Sequence, residues 1–379
     1  MKTQKSGHDL KNVLKHFRIT GQFVDARPFG AGHINDTFLM RNKHRDADHY
    51  LLQRVNHHVF KNIPRMMDNI GLITNHIRKQ LQHIPGSDPH RQCMTFLPAI
   101  DGNLYFEDRE RNFWRVCLFI PNSHSFDRME NSAKAWQGGK AFGQFQKFLT
   151  DVPADQLHET IPFFHDVEKR LQTFSQVVKN DPVKRVRKVS QHIKFIENRS
   201  DEMRLVLRMA REHKIHQRIT HNDTKFNNIL FDKTEKALCV VDLDTTMPGY
   251  VHYDFGDAIR TGCNTGAEDD ANLENIRLDI DLFSAYTHGF LTETISFLTD
   301  TEVETLAFSA KLLTFIMALR FLTDYIDGDN YYKIQFEGHN LQRANAQFRL
   351  LEKMEEQFER MQEIVLRQAE RVEMGGFRL

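Results

Sequence analysis

Read from the amino terminus, the spacing of apolar positions changes character about a third of the way along the chain. A helix signal over residues 8–17 gives way to strand-like runs at 23–29 (FVDARPF), 34–41 (INDTFLMR) and 50–55 (YLLQRV), the second of which alternates in part. A helix opens near Pro64, where proline suits a first turn, and continues through MMDNIGLITNHIRKQL. Further strands are predicted at 92–97, 103–107 and 112–119 (NFWRVCLF). From about residue 124 the pattern turns helical, with amphipathic segments over roughly 133–150, 164–180, 189–214, 271–291, 301–326 and 340–370. Two short β-like pieces, NILF (228–231) and ALCVVDL (237–243), interrupt them. This order predicts an α+β chain with a small mixed-sheet lobe over residues 1–119 and a mainly helical lobe over 120–379. The junction falls at 119–123 (FIPNS), where the strand pattern ends before Pro121.

The 379 residues are ample for two cores, and 40% hydrophobic with 27% charged residues is an ordinary globular balance. The 51 basic and 51 acidic residues cancel, so the basic excess that a nucleic-acid binder uses against phosphates is missing. The first residues are polar and charged, and no stretch approaches the roughly 20 apolar residues of a membrane span. Cys93, Cys117, Cys239 and Cys263 are too widely spaced for a zinc pair or a disulfide framework. The expectation is a cytoplasmic protein, a monomer or weak homodimer, with neither nucleic acid nor membrane as partner.

The strongest chemical signal is THNDTKFNNILFD followed by ALCVVDLDT, which separates Asp223, Asn228 and Asp242 by five and fourteen residues. Phosphoryl transfer asks for an aligned acceptor hydroxyl, a carboxylate to take its proton and oxygen ligands that hold Mg²⁺ with ATP. Asp223 fits the base, Asn228 and Asp242 the metal ligands, and His221 a residue shaping the loop from behind. Lys225 fits a counter-charge for the transferred phosphoryl group. Asp244 points the same way as Asp242 if strand alternation persists to that point, toward metal water or substrate. A polar turn between helices is the bland reading of HxD alone. The Asn at +5, the NILF strand and the VVD that closes the second strand favour the kinase reading.

A second signal is PFGAGHINDTF (28–38), a Gly-x-Gly turn between strands. There Gly30 and Gly32 let backbone N–H groups approach a phosphate. His33 and Asn35 are candidates for contacts with nucleotide or acceptor, and a structural role for His33 is equally open. In MPGYVHYDFGDAIR (247–260), Asp254, Asp257 and Arg260 are spaced to share one helix face. Asp254 reads as part of an internal ion-pair network bracing the metal-bearing loop, whereas Asp257 and Arg260 could reach an acceptor pocket. Arg320 stands alone in the apolar run LLTFIMALRFL, where an unpaired guanidinium is costly. It either braces a core carboxylate or lines a polar cavity, and Tyr331 nearby supplies an aromatic hydroxyl wall. There is no Walker A loop, no HExxH and no GxSxG elbow.

Together these residues resemble the aminoglycoside phosphotransferase and choline kinase superfamily, and within it bacterial N-acetylhexosamine 1-kinases. The strings GHIN, THNDTK, NNIL, DLDT with MPG, DFGD with IR, RFL with DY, and GD followed by Y occur in that family's order between about residues 15 and 365. The resemblance implies a protein-kinase-like two-lobed fold with ATP and Mg²⁺ as cofactors. It implies phosphorylation of the anomeric hydroxyl of N-acetylglucosamine or N-acetylgalactosamine, so the small-molecule partner is a sugar. By likeness Asp223 is the base, Asn228 and Asp242 are metal ligands, and His33, Arg320 and Tyr331 touch the acceptor. The sheet-lobe lysine of protein kinases has no counterpart here: YLLQRVN offers Gln53 or Arg54 to the ATP phosphates. Kinases for other hydroxylated acceptors, and a nucleotide-binding module without turnover, are the alternatives.

Overall fold

The computed structural model describes residues 2–3, 8–30, 34–44 and 47–376. Two compact units emerge. Unit 1 comprises Met1–His124, Asp155–Pro162 and Leu230–Met247; unit 2 comprises Ser125–Ala154, Phe163–Ile229 and Pro248–Leu379.

Unit 1 is built on strands β1 (Lys2–Thr3), β2 (Phe23–Pro28), β3 (Asp36–Asn42), β4 (Tyr50–Val55), β5 (Phe96–Leu97), β6 (Phe106–Glu107) and β7 (Phe113–Leu118). Among the described residues they form one sheet in the order β1-β2-β3-β4-β7-β5, with β6 also on β7. Only the β1–β2 pair is parallel. Alternation along β3 buries Phe38, Met40 and Asn42. Phe38 and Met40 join Leu52, Trp114 and Val116 in a core that helix α1 (Leu10–Leu14) covers with Leu10, Val13 and Leu14. Helix α2 (Ile63–Gln82) starts as its sequence predicts: Asn62 caps the Arg65 N–H at 3.1 Å, and Pro64 lies in the first turn. The strand expected at 92–97 shrinks to β5. Asp88 caps His90 and Pro89 opens a one-turn helix α3 (Pro89–Gln92), so capping chemistry overrides the apolar run.

Unit 2 holds α4 (Ser132–Phe148), α5 (Val167–Asn180), α6 (Ser190–Arg199), α7 (Leu205–Arg211), α8 (Val251–Gly262), α9 (Ile280–Thr294), α10 (Asp300–Glu304), α11 (Leu306–Asp327), α12 (His339–Glu356) and α13 (Phe358–Gly376). The segment expected as one helix over 189–214 is α6 and α7, separated over residues 200–204 by a turn and a 3₁₀ segment (Glu202–Arg204). There the Ser200 hydroxyl donates to the Glu197 carbonyl at 3.0 Å. The helix expected from 271 begins only at Ile280, because Asp279 caps the N–H groups of Asp281 and Leu282. Helix α8 is buried on nearly every side, its polar face of Asp254, Asp257 and Arg260 included, so it lacks the solvent-facing stripe of a surface helix.

Close approach explains some glycines. A Cβ on Gly139 of α4 would stand 2.1 Å from the Tyr286 carbonyl oxygen, and one on Gly289 of α9 2.1 Å from that of Trp136. Gly256, inside DFGD, would meet the Ser309 carbonyl at 2.2 Å, so this glycine lets α8 lie against α11. Contrary to the sequence expectation, α11 is long and apolar enough to cross a membrane by length and composition. Its most apolar 18-residue window is 83% buried inside the protein. Phe315, Ile316, Leu319 and Leu322 are core residues of unit 2.

Candidate active site

In unit 2 the strand Arg218–Thr220 delivers the chain into His221, Asn222 and Asp223, and a 3₁₀ turn (Phe226–Asn228) closes the loop. Asn222 adopts φ +65°, a left-handed conformation that asparagine tolerates better than most residues. The loop is held from beneath by the first half of α8. One Asp254 oxygen accepts the His221 N–H at 2.9 Å and the other the Asn222 N–H at 2.7 Å. Asp257 accepts the Thr224 N–H at 3.1 Å, and the Thr224 hydroxyl donates to the Asp254 carbonyl at 2.6 Å. Gln146 of α4 donates to Asp254 at 2.7 Å. Burial pushes the Asp254 carboxyl up, and these donors oppose that shift.

His221 is fully buried, edge-on to Phe142 and Phe145 with centroids 5.6 Å away, and its Nδ1 accepts the Asp223 N–H at 3.3 Å. It thus shapes the loop from the core side. His165 packs on the other flank, its Nε2 3.0 Å from the Asn222 carbonyl, and burial pulls its pKa down to about 3. The neutral ring therefore donates from Nε2.

Asp223 itself reaches solvent, with its side chain 22% exposed. Burial resists its ionisation, but the Lys225 ammonium 3.1 Å away, together with His221 and Arg260, holds the carboxyl below the usual range. Asp223 in turn raises the Lys225 pKa. Asn228 donates through Nδ2 to the Asp223 carbonyl (2.9 Å) and carboxylate (3.3 Å), which leaves its amide oxygen as the atom for a hard cation. Behind the loop, Arg260 binds Asp257 at 2.9 Å and Glu268 at 2.7 Å, all within unit 2.

Arg320 emerges half-buried from α11. Its guanidinium lies over the rings of Phe164, Tyr331 and Tyr332 at 5.0, 5.7 and 5.5 Å. Its polar contact is Met317 Sδ at 3.5 Å, and it forms no ion pair among the described residues. Of the two sequence readings, the core brace therefore lacks its carboxylate.

Unit 1 carries the other predicted residues. The strand Ala237–Val240 ends two residues before Asp242, which adopts φ +61°, and a 3₁₀ turn (Leu243–Thr245) follows. The alternation expected to aim Asp244 alongside Asp242 therefore stops short. Asp244 is buried instead, gripped by both terminal nitrogens of Arg115 from β7 and by Asn35 Nδ2 at 2.8 Å. Arg115 donates through Nε to Gln53 Oε1 at 2.9 Å, directly across the β4–β7 ladder, and Gln53 Nε2 donates to Thr37 at 3.0 Å. Asn35 Oδ1 accepts the Asn56 N–H at 3.0 Å. Arg54 turns the other way, onto Asp36 and Asn112. Arg115 and Asp244 side chains are only 2% and 3% exposed. Burial disfavours the Arg115 charge, while Asp244, with Asp242 adding to it, raises the pKa above normal.

Arg115 escaped the sequence reading, although FWRVCLF carries the same signal that singled out Arg320, a lone cation in an apolar run. Gly30 adopts φ +78° with open space where a Cβ would stand, whereas Gly32 and His33 lie outside the described residues.

A family model described as the phosphotransferase enzyme family, APH, matches residues 25–286. Among solved structures, the chain is similar to an aminoglycoside phosphotransferase from Alicyclobacillus acidocaldarius, at 11% identity and TM-score 0.62 over 94% of this chain and 98% of that one. It is similar to a spectinomycin phosphotransferase in complex with ADP and spectinomycin, at 14% identity and TM-score 0.51 over 95% and 97%. A choline kinase from Streptococcus pneumoniae matches at 13% identity and TM-score 0.51 over 87% and 94%. At such identities the likeness is one of fold, and it bears out the α+β, protein-kinase-like expectation. The extent of the family match, well over half the chain, decides the rest: this chain belongs to the APH phosphotransferase enzyme family.

Proposed function

We propose that the protein is an ATP-dependent kinase that phosphorylates the anomeric hydroxyl of an N-acetylhexosamine, giving the sugar 1-phosphate. The observation that carries this reading is the Asp223 loop: a carboxylate held ionised by Lys225, on a backbone fixed at three N–H groups by Asp254 and Asp257. A positioned carboxylate of low pKa orients the acceptor hydroxyl and accepts its proton as the γ-phosphoryl group leaves ADP. Lys225 offsets the charge that develops on the transferred group.

The Asn228 amide oxygen and the Asp242 carboxylate are each hard oxygen donors of the kind Mg²⁺ takes. Mg²⁺ held by such donors would neutralise charge on the ATP phosphates. Asn35 and Gln53 act through others in this reading: each is bonded at both ends of its amide and supports the Arg115–Asp244 pair.

The sugar assignment is supported by the ordered motif strings and by Arg320, whose unpaired charge disfavours a cationic acceptor such as an aminoglycoside or choline. ADP release is expected with N-acetylglucosamine or N-acetylgalactosamine and not with choline or kanamycin. The reverse order would replace the sugar reading with a cationic acceptor.

A further inference from the structure

A recess of about 190 Å³ in unit 2 is lined by Arg170 and Val177 of α5, Arg320 and Asp327 of α11, and the tyrosines 331 and 332. It is smaller than the several hundred Å³ of sites that enclose a whole drug-sized ligand, so it suits a substituent. Its charges are unusual. Arg170 is half-buried and donates from Nε and Nη2 to one acceptor, the Phe164 carbonyl, at 3.3 and 3.0 Å. Like Arg320 it forms no ion pair among the described residues. Burial and the neighbouring Arg320 charge lower its pKa to about 10.

The carboxylates that share the recess, Asp324 and Asp327, form no ion pair with either cation: Asp324 accepts the N–H groups of Tyr331 (2.8 Å) and Tyr332 (2.9 Å) and the amide of Asn340 (2.9 Å), and Asp327 accepts from Asn330. The Tyr332 hydroxyl is buried and meets no hydrogen-bond partner among the described residues. Two adjoining guanidiniums that form no ion pair, beside an unused hydroxyl donor, keep hydrogen-bonding capacity for a group that is not part of the chain. The segment carrying Phe164 also joins the recess to the catalytic loop. The Phe164 ring lies under Arg320, and the next residue, His165, bonds the Asn222 carbonyl.

We propose that the Arg170–Arg320 recess is an oxyanion site, taking a carboxylate, sulfate or phosphate group through the two guanidinium forks and the Tyr332 hydroxyl. Planar guanidinium forks match the paired oxygens of such groups. The anion has two sources: a charged substituent on the acceptor, a case that rests on reading Arg320 as an acceptor contact, or a free inorganic anion.

The test is isothermal titration of the full chain with sodium sulfate, against sodium chloride at equal ionic strength. Saturable sulfate binding is expected, weakened at least tenfold in Arg170→Gln and more modestly in Tyr332→Phe, each variant checked for a native circular dichroism spectrum. A sulfate-dependent rise in melting temperature, lost in Arg170→Gln, is the second readout. No sulfate binding by the folded wild type, or equal binding by both variants, overturns the proposal. Rates with sulfated and unsulfated N-acetylglucosamine then separate the sources. A preference for the sulfated sugar that Arg170→Gln abolishes assigns the anion to the acceptor. Sulfate binding without that preference assigns a free anion, and either result upholds the site. Turnover of the neutral sugar without sulfate binding overturns this inference and leaves the kinase reading standing; sulfate binding without turnover of any acceptor does the reverse.

Discussion

Two arginines that an apolar sequence should exclude have opposite surroundings in the two units. Arg115 in unit 1 is sealed from solvent and every nitrogen of its guanidinium is spent, on Asp244, Gln53 and Met67. Arg320 in unit 2 is half-buried among aromatic rings, with Arg170 as an electrostatic neighbour and no carboxylate in its grip. A buried charge with all partners present is architecture, costly to break and of little use to a ligand. One left without a counter-ion keeps its hydrogen-bonding capacity for something that is not part of the chain.

The sharpest way to break the contrast is to remove each cation. Arg115→Met strands the Asp244 carboxylate in the core and is expected to cost about 3–5 kcal/mol in urea unfolding. Arg115→Met with Asp244→Leu should recover most of that loss, because no charge is left alone. Arg320→Gln should change stability by less than about 0.5 kcal/mol while raising the acceptor KM. Similar losses at the two sites would erase the distinction.

A third kind of buried base sharpens it further. His252 is fully buried with Nε2 2.8 Å from the Thr305 hydroxyl, and burial lowers its pKa from 6.5 to about 4. Between those values the unfolded chain binds a proton that the folded chain refuses. Stability should therefore fall as pH drops from 6.5 toward 4, by about 1.4 kcal/mol per pH unit at most from this residue, and level off below. His165 adds a similar slope down to about pH 3. Thermal melts across this range should show the decline, with a flatter profile in His252→Gln. An unchanged slope in that variant would assign the acid sensitivity elsewhere.

What the sequence made legible follows from how local each signal is. The candidate loop was readable because Asp223, Lys225 and Asn228 lie within six residues, so their spacing alone brings the proposed base and the proposed ligand together. Helix α2 was readable because Pro64 marks its start, and in the fold Asn62 adds the cap. The Arg115–Asp244 pair spans 129 residues, and no local pattern links a strand cation to a carboxylate that far along the chain. The strand position where a kinase lysine is expected holds Gln53 and Arg54 instead. Asp254 was foreseen as a brace, but as part of an ion-pair network; in the fold it accepts backbone N–H groups. Side-chain spacing reports which groups share a face, not which backbone donors a loop brings to them.

The most direct test of the central claim is a ³¹P NMR spectrum of the purified protein with Mg-ATP and N-acetylglucosamine, repeated with N-acetylgalactosamine and with Asp223→Asn. The account predicts a new phosphate resonance coupled to the anomeric proton, formed at least a hundredfold more slowly by the variant, the loss expected on removing a general base. ATP left intact with both sugars, or the same product formed at an undiminished rate by Asp223→Asn, would contradict it.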